Sequence, residues 1–174
     1  MLRLLLRSGW YADRQQSVDS LLRFWGVEME MASLVEMSSF AGLVLKPSGG
    51  GMLYGIASEL VGRGELYFYG PSDLDQQSAA RNTGNTEVAD ALEAGRYGQK
   101  IISEEFSCDL CAVLPIAHTY TTVGETVFAL SDGGVYGTTM DAVFLIDSSV
   151  GGAVGAWMRR RPAQLGQRLA THRK

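Results

Sequence analysis

A chain of 174 residues, 46% hydrophobic and 20% charged, has the size and balance of one globular domain that needs no disulfide staples. No apolar run approaches the roughly 20 residues that span a bilayer, and Leu4 to Leu6 between Arg3 and Arg7 is too short for a secretory core, so a cytoplasmic protein with no membrane contact is expected. Six of the fifteen basic residues and no acidic one follow Met158, which leaves nine basic against nineteen acidic residues before it, a body that suits a basic partner and repels nucleic acid.

Leu2 to Leu6 reads as a short buried segment, helix or strand being undecided at this length. Ser17 is placed to cap a helix in which Val18, Leu21, Leu22 and Trp25 recur at i, i+3, i+4 and i+7, with Gly26 as its stop. A second helix is predicted over 30–40, with Met31, Leu34, Val35 and Met37 inside and Glu30 and Glu36 outside. Leu43 to Leu45 then enters a sheet. Lys46 to Gly51 is a turn by composition; its lysine precedes the glycines, so it is no phosphate loop.

Met52 to Ile56 and Glu65 to Tyr69 are strand candidates, and Gly70 to Asn85 is a polar loop. Thr86 is placed to cap a short helix over 87–94 that Gly95 ends. A further helix over 97–110 would bury Tyr97, Ile101, Ile102 and Phe106. Cys111 to Ile116 reads as a strand with Pro115 at an edge or end. Val127 to Leu130, Ser131-Asp132-Gly133-Gly134 and Val135-Tyr136 together predict a central hairpin. Ala142 to Ile146 follows as a strand. A last helix capped by Ser148 or Ser149 carries Val150, Val154 and Trp157 on one face, with Gly151, Gly152 and Gly155 either weakening it or admitting a neighbour closely.

Chemistry-bearing patterns are sparse. Cys108-Asp109-Leu110-Cys111 lacks two further zinc ligands, since only His118 and His172 exist, and it falls at a helix end instead of the start that activates a redox thiol. His118 could serve Cys111 or a serine as a base only if the fold joined them. Glu104 and Glu105 diverge on a helix, and Asp73 and Asp75 lack the other positions of a calcium loop. The reading is therefore of a protein without catalytic, cofactor-binding or metal-binding residues, with a small Cys/His-dependent enzyme as the alternative.

Gly9-Trp10 with Arg14 four on, a helix, then Phe40-Ala41-Gly42-Leu43 closing a second helix resembles the opening of the SUKH superfamily, and is most similar to its third immunity-protein subfamily. Leu114 to Ala117 and Phe128 to Tyr136 extend the resemblance, as scattered motifs, over residues 8–160; Ala41 and Ala117 stand where the family has glycine. The resemblance implies one α+β domain over 1–160, an antiparallel-rich mixed sheet flanked by helices, followed by a basic tail over 161–174. It also implies a cytosolic antidote that neutralises a cognate toxin domain of nuclease or deaminase type by occluding its active site; the chain itself is expected as a monomer or weak homodimer. A scaffold of the same fold with a non-toxin partner is the other possibility. Charge and loop composition put the partner-binding residues at Asp73, Asp75, Glu87, Asp90 and Glu93.

Overall fold

Residues 2–29, 31–45, 53–57, 60–63, 65–75, 87–121, 124–131, 134–138 and 143–158 are described by the computed structural model. Helices α1 (Leu2–Arg7), α2 (Asp19–Trp25) and α3 (Met31–Phe40) precede strands β1 (Val44–Leu45), β2 (Leu53–Ala57), β3 (Leu60–Arg63) and β4 (Leu66–Phe68). Helix α4, described over 71–75, and α5 (Glu87–Phe106) follow. Strands β5 (Leu114–Thr121), β6 (Gly124–Ser131), β7 (Gly134–Thr138) and β8 (Val143–Asp147) lead to α6 (Val150–Met158).

The strands make one sheet in the order β1-β4-β5-β6-β7-β8, with the β2-β3 hairpin attached to β5. Every pairing among the described residues is antiparallel. The architecture is α+β in a single domain. The hairpin expected around Asp132 is β6-β7, closed by the Ser131–Gly134 pair, while Asp132 and Gly133 lie outside the described residues. Pro115 sits near the start of a central strand, beside the register shift between Pro115 and Ala117, where a missing ladder N–H is tolerated.

Alternate residues of β6 serve the two faces of this sheet. Val127 and Ala129 meet α5: a Cβ on Gly98 would lie 2.8 Å from the Val127 side chain, and Ile102 packs with Val113 and Ala129. Phe128 and Leu130 join the larger core with Phe144, Ile146, Phe40 of α3 and Val150, Ala153 and Val154 of α6. Val18, Leu21 and Trp25 of α2 are buried as their spacing requires. Gly26 ends α2 at φ +66, its N–H and that of Val27 returning to Arg23 and Leu22.

Several sequence expectations need correction. The two helices divided at Gly95 are one twenty-residue helix, α5. Gly95 is no stop: it lies over Trp25, where a Cβ would come within 2.5 Å of the indole. Tyr97 is 54% exposed, and the inner face instead carries Leu92, Gly95, Gly98, Gln99, Ile102 and Ser103. Val35 is exposed. Glu36, expected outside, is half-buried and bonded to α6. The start of the polar stretch is helical at 71–75, and Leu110–Ala112 is a 3-10 turn where the end of a helix and the start of a strand were expected. Helix α2 has Val18 at its cap position, with Ser17 accepting from the Asp19 N–H at 3.4 Å and donating to the Asp19 carboxylate at 3.0 Å. Ser149 does cap α6, accepting from the Gly152 N–H at 3.0 Å. The Lys46 to Gly51 turn, Thr86 and the 161–174 tail lie outside the described residues.

Candidate functional site

The residues that carried the family resemblance meet in space, and each has a packing reason. The Arg14 guanidinium is buried and donates to the Ser39 carbonyl at 2.9 Å and the Ala41 carbonyl at 2.7 Å. It thus satisfies carbonyls that the end of α3 leaves without helical partners, and puts positive charge at the negative end of the helix. Burial lowers its pKa from the ordinary arginine value. Gly42, at φ +70, turns the chain out of α3 against Gly70, whose own Cβ would fall 2.6 Å from the Gly42 Cα. Leu43 then accepts from the Phe68 N–H and lies beside Gly9. These residues build the frame and present no reactive group.

The five acidic residues singled out from the sequence fare differently. The Asp73 carboxylate is half-buried and accepts from the Gly70 N–H at 2.7 Å, while the Asp73 N–H donates back to Gly70 at 3.0 Å. This reciprocal pair closes the first turn of α4, and burial raises the Asp73 pKa against the pull of that hydrogen bond. Asp73 is committed within the fold. Asp75 is exposed on the same helix. Glu87 begins α5, its side chain outside the described residues. Asp90 and Glu93 are exposed on α5, and the structure adds Tyr97 and Glu104 at the helical spacing that shares their side. Lys100 lies 3.8 Å from Glu104 in the same stripe. The spacing 90, 93, 97, 104 was present in the sequence, but dividing the helix at Gly95 hid it.

The alternative centre does not assemble. His118 is on β5 opposite Tyr67 and Val127, stacked on Tyr67 at 5.2 Å and against Tyr69 at 5.1 Å. Burial holds its pKa down at about 4, and its Nδ1 is buried without a hydrogen-bond partner. It lies four residue steps along the strand from Leu114, about 13 Å of chain, and Cys111 precedes that. Cys108 packs beside Ile102, Val113 and Ala129. Both cysteines are free and half-buried, and the Cys111 pKa is raised, chiefly by its hydrogen bond to Asp109 and then by burial. A raised thiol is the opposite of an activated one. Among the described residues no group of three or more His, Cys, Asp or Glu could hold a metal ion, and no helix is long and apolar enough to cross a membrane.

No family model, curated protein or solved structure matches the chain.

Proposed function

We propose that this chain is an immunity protein of the SUKH type, a cytoplasmic, non-catalytic antidote that binds a basic toxin domain of nuclease or deaminase type and covers its active cleft. The observation that carries this reading is the junction of the separated motif segments. Arg14 closes α3 at Ser39 and Ala41, and Gly9 lies against Leu43. Gly-Trp, the arginine and Phe-Ala-Gly-Leu therefore act as one structural unit, which is how a fold signature behaves, and leave the exposed surface free to vary with the partner. The acidic balance before Met158 supports a basic partner and argues against nucleic acid, and such charge speeds encounter before close contacts form.

Within this reading the contact residues are Asp75, Asp90 and Glu93, joined by Tyr97 as an aromatic anchor one turn on from Glu93. Asp73, whose carboxylate is bonded to the Gly70 N–H, is left out of this set. Co-expression with a toxin domain encoded beside the gene should restore growth and give a complex on gel filtration. Unchanged toxicity with separate elution overturns the proposal. Reversing Asp90 and Glu93 to lysine should slow association by about tenfold at low salt while leaving the fold intact.

A further inference from the structure

Among the described residues, six large hydrophobic side chains stand more than 45% exposed. Leu2 and Leu6, 58% and 52% exposed, share one side of α1, whose buried residue is Leu5. Arg3 and Arg7 are exposed beside them with the same four-residue spacing, and residues 2–11 contain no acid. Tyr97 is exposed on α5, with the acids Asp90 and Glu93 on its N-terminal side and the Lys100–Glu104 pair on the other. The α1 face is thus apolar and basic, and the Asp90–Tyr97 end of the α5 stripe aromatic and acidic. Exposed leucines ringed by arginine are costly to leave in water, and contact between the two faces would cover both apolar sets while pairing their charges.

We propose that α1 of one copy of this chain docks on the α5 face of a second copy, with Leu2 and Leu6 against Tyr97 and Arg3 and Arg7 towards Asp90 and Glu93. The second copy is favoured over an anionic lipid surface because the complementary acidic face belongs to this same chain and would itself repel such a surface. Two short helical faces cover less than the roughly 800 Å² per partner of a standard interface. The association is therefore weak, visible at high micromolar concentration, and screened by salt. The contacting faces differ, so each contact is heterologous.

Sedimentation of the full chain in low and high salt, with no toxin present, tests this independently of the proposed antidote role. Wild-type chain should form species larger than the monomer that disappear in high salt. The variants Arg3→Glu/Arg7→Glu and Asp90→Arg/Glu93→Arg should each sediment as monomers, with circular dichroism unchanged because all four side chains are exposed. Mixing the two variants should restore association, since each then offers the face the other lacks. A monomer at every concentration, or an association that neither reversal alters, overturns the proposal. Binding to phosphatidylserine vesicles that is lost in Arg3→Glu/Arg7→Glu, without self-association, also overturns it and assigns α1 to a lipid surface.

Discussion

The two faces of the sheet are held by different physics. On the α5 side the helix comes close because its inner residues are small: Gly95 lies over Trp25, and Gly98 over Val127 and Thr138. One buried amide, Gln99, then ties the helix to the carbonyls of Trp25, Leu110 and Val113 at 2.9–3.1 Å. On the α3 and α6 side the fit is made by large side chains, with Phe40 stacked on Phe68 and Phe144 lying over Gly137. Charged groups finish the helix ends there: Arg14 closes α3, and Glu36 accepts from the Val150 N–H at 3.0 Å and the Gly151 N–H at 2.6 Å. The seat of α5 has no slack for added volume at Gly95 or Gly98, and Gly137 is as tight on the other face. That other face also depends on single side chains meeting backbone groups, so it can be loosened without a clash.

The most direct test of that difference is Gly95→Ala. Alanine favours a helix over glycine by about 1 kcal/mol, but its Cβ would need the buried Trp25 ring and the Tyr69 hydroxyl, 3.1 Å away, to shift. Overpacking should win, with a net loss of about 2 kcal/mol in urea unfolding. An unchanged or raised midpoint would mean that α5 is not seated so closely. His118 gives a similar magnitude through pH. Its folded pKa of about 4 lies below the ordinary histidine value of 6.5, so the unfolded chain binds the proton first. Stability should be full above pH 6.5, fall as the pH drops from there towards 4, and level off below, a loss of about 3 kcal/mol. His118→Phe keeps an aromatic ring between Tyr67 and Tyr69 and should remove that part of the acid slope; matching slopes in variant and wild type would refute the assignment.

On the opposite face, Glu36→Leu leaves the first N–H groups of α6 without their carboxylate and removes negative charge from the positive helix end. A loss of about 1–2 kcal/mol is expected, with faster hydrogen exchange at Val150 and Gly151. Glu36→Gln retains an acceptor oxygen and should lose less. Equal losses from both would locate the effect in packing instead.

These contrasts explain what was legible in the chain. Helix α2, the β6-β7 hairpin and the Ser149 cap were readable because their signals are local: apolar spacing, a glycine turn and a hydroxyl before a helix. The continuity of α5 was not, because a glycine that ends a helix and one that admits a neighbouring ring are the same letter. What separates them is Trp25, seventy residues away in sequence. Glu36 was misplaced for a related reason, since its partner N–H groups lie 114 and 115 residues on. At the candidate surface, Asp90 and Glu93 were legible as acids on a helix, while Asp73 was bound to Gly70 in a turn that composition read as loop. Asp73 and Glu36 were both misjudged because a free backbone N–H at a helix start claims the carboxylate, which charge and spacing alone do not show.

The ends of α2 and α5 carry the contrast to its smallest scale. Both close with the same pair of returning N–H bonds, Gly26 and Val27 to Arg23 and Leu22 in α2, Ser107 and Cys108 to Glu104 and Ser103 in α5. Glycine occupies the left-handed position in α2, but in α5 it is Ser107 at φ +51, a conformation that strains a residue with a Cβ. The Ser103 hydroxyl donates to the Cys108 carbonyl at 2.7 Å and helps hold the turn. Ser107→Gly should therefore raise stability by about 0.5–1 kcal/mol, the relieved strain outweighing the added freedom of the unfolded chain. Gly26→Ser should lower it by a similar amount. Ser107 is exposed, so no lost packing obscures the comparison. If Ser107→Gly instead destabilises, the serine is held by something other than the geometry of the turn, and α5 does not end as α2 does.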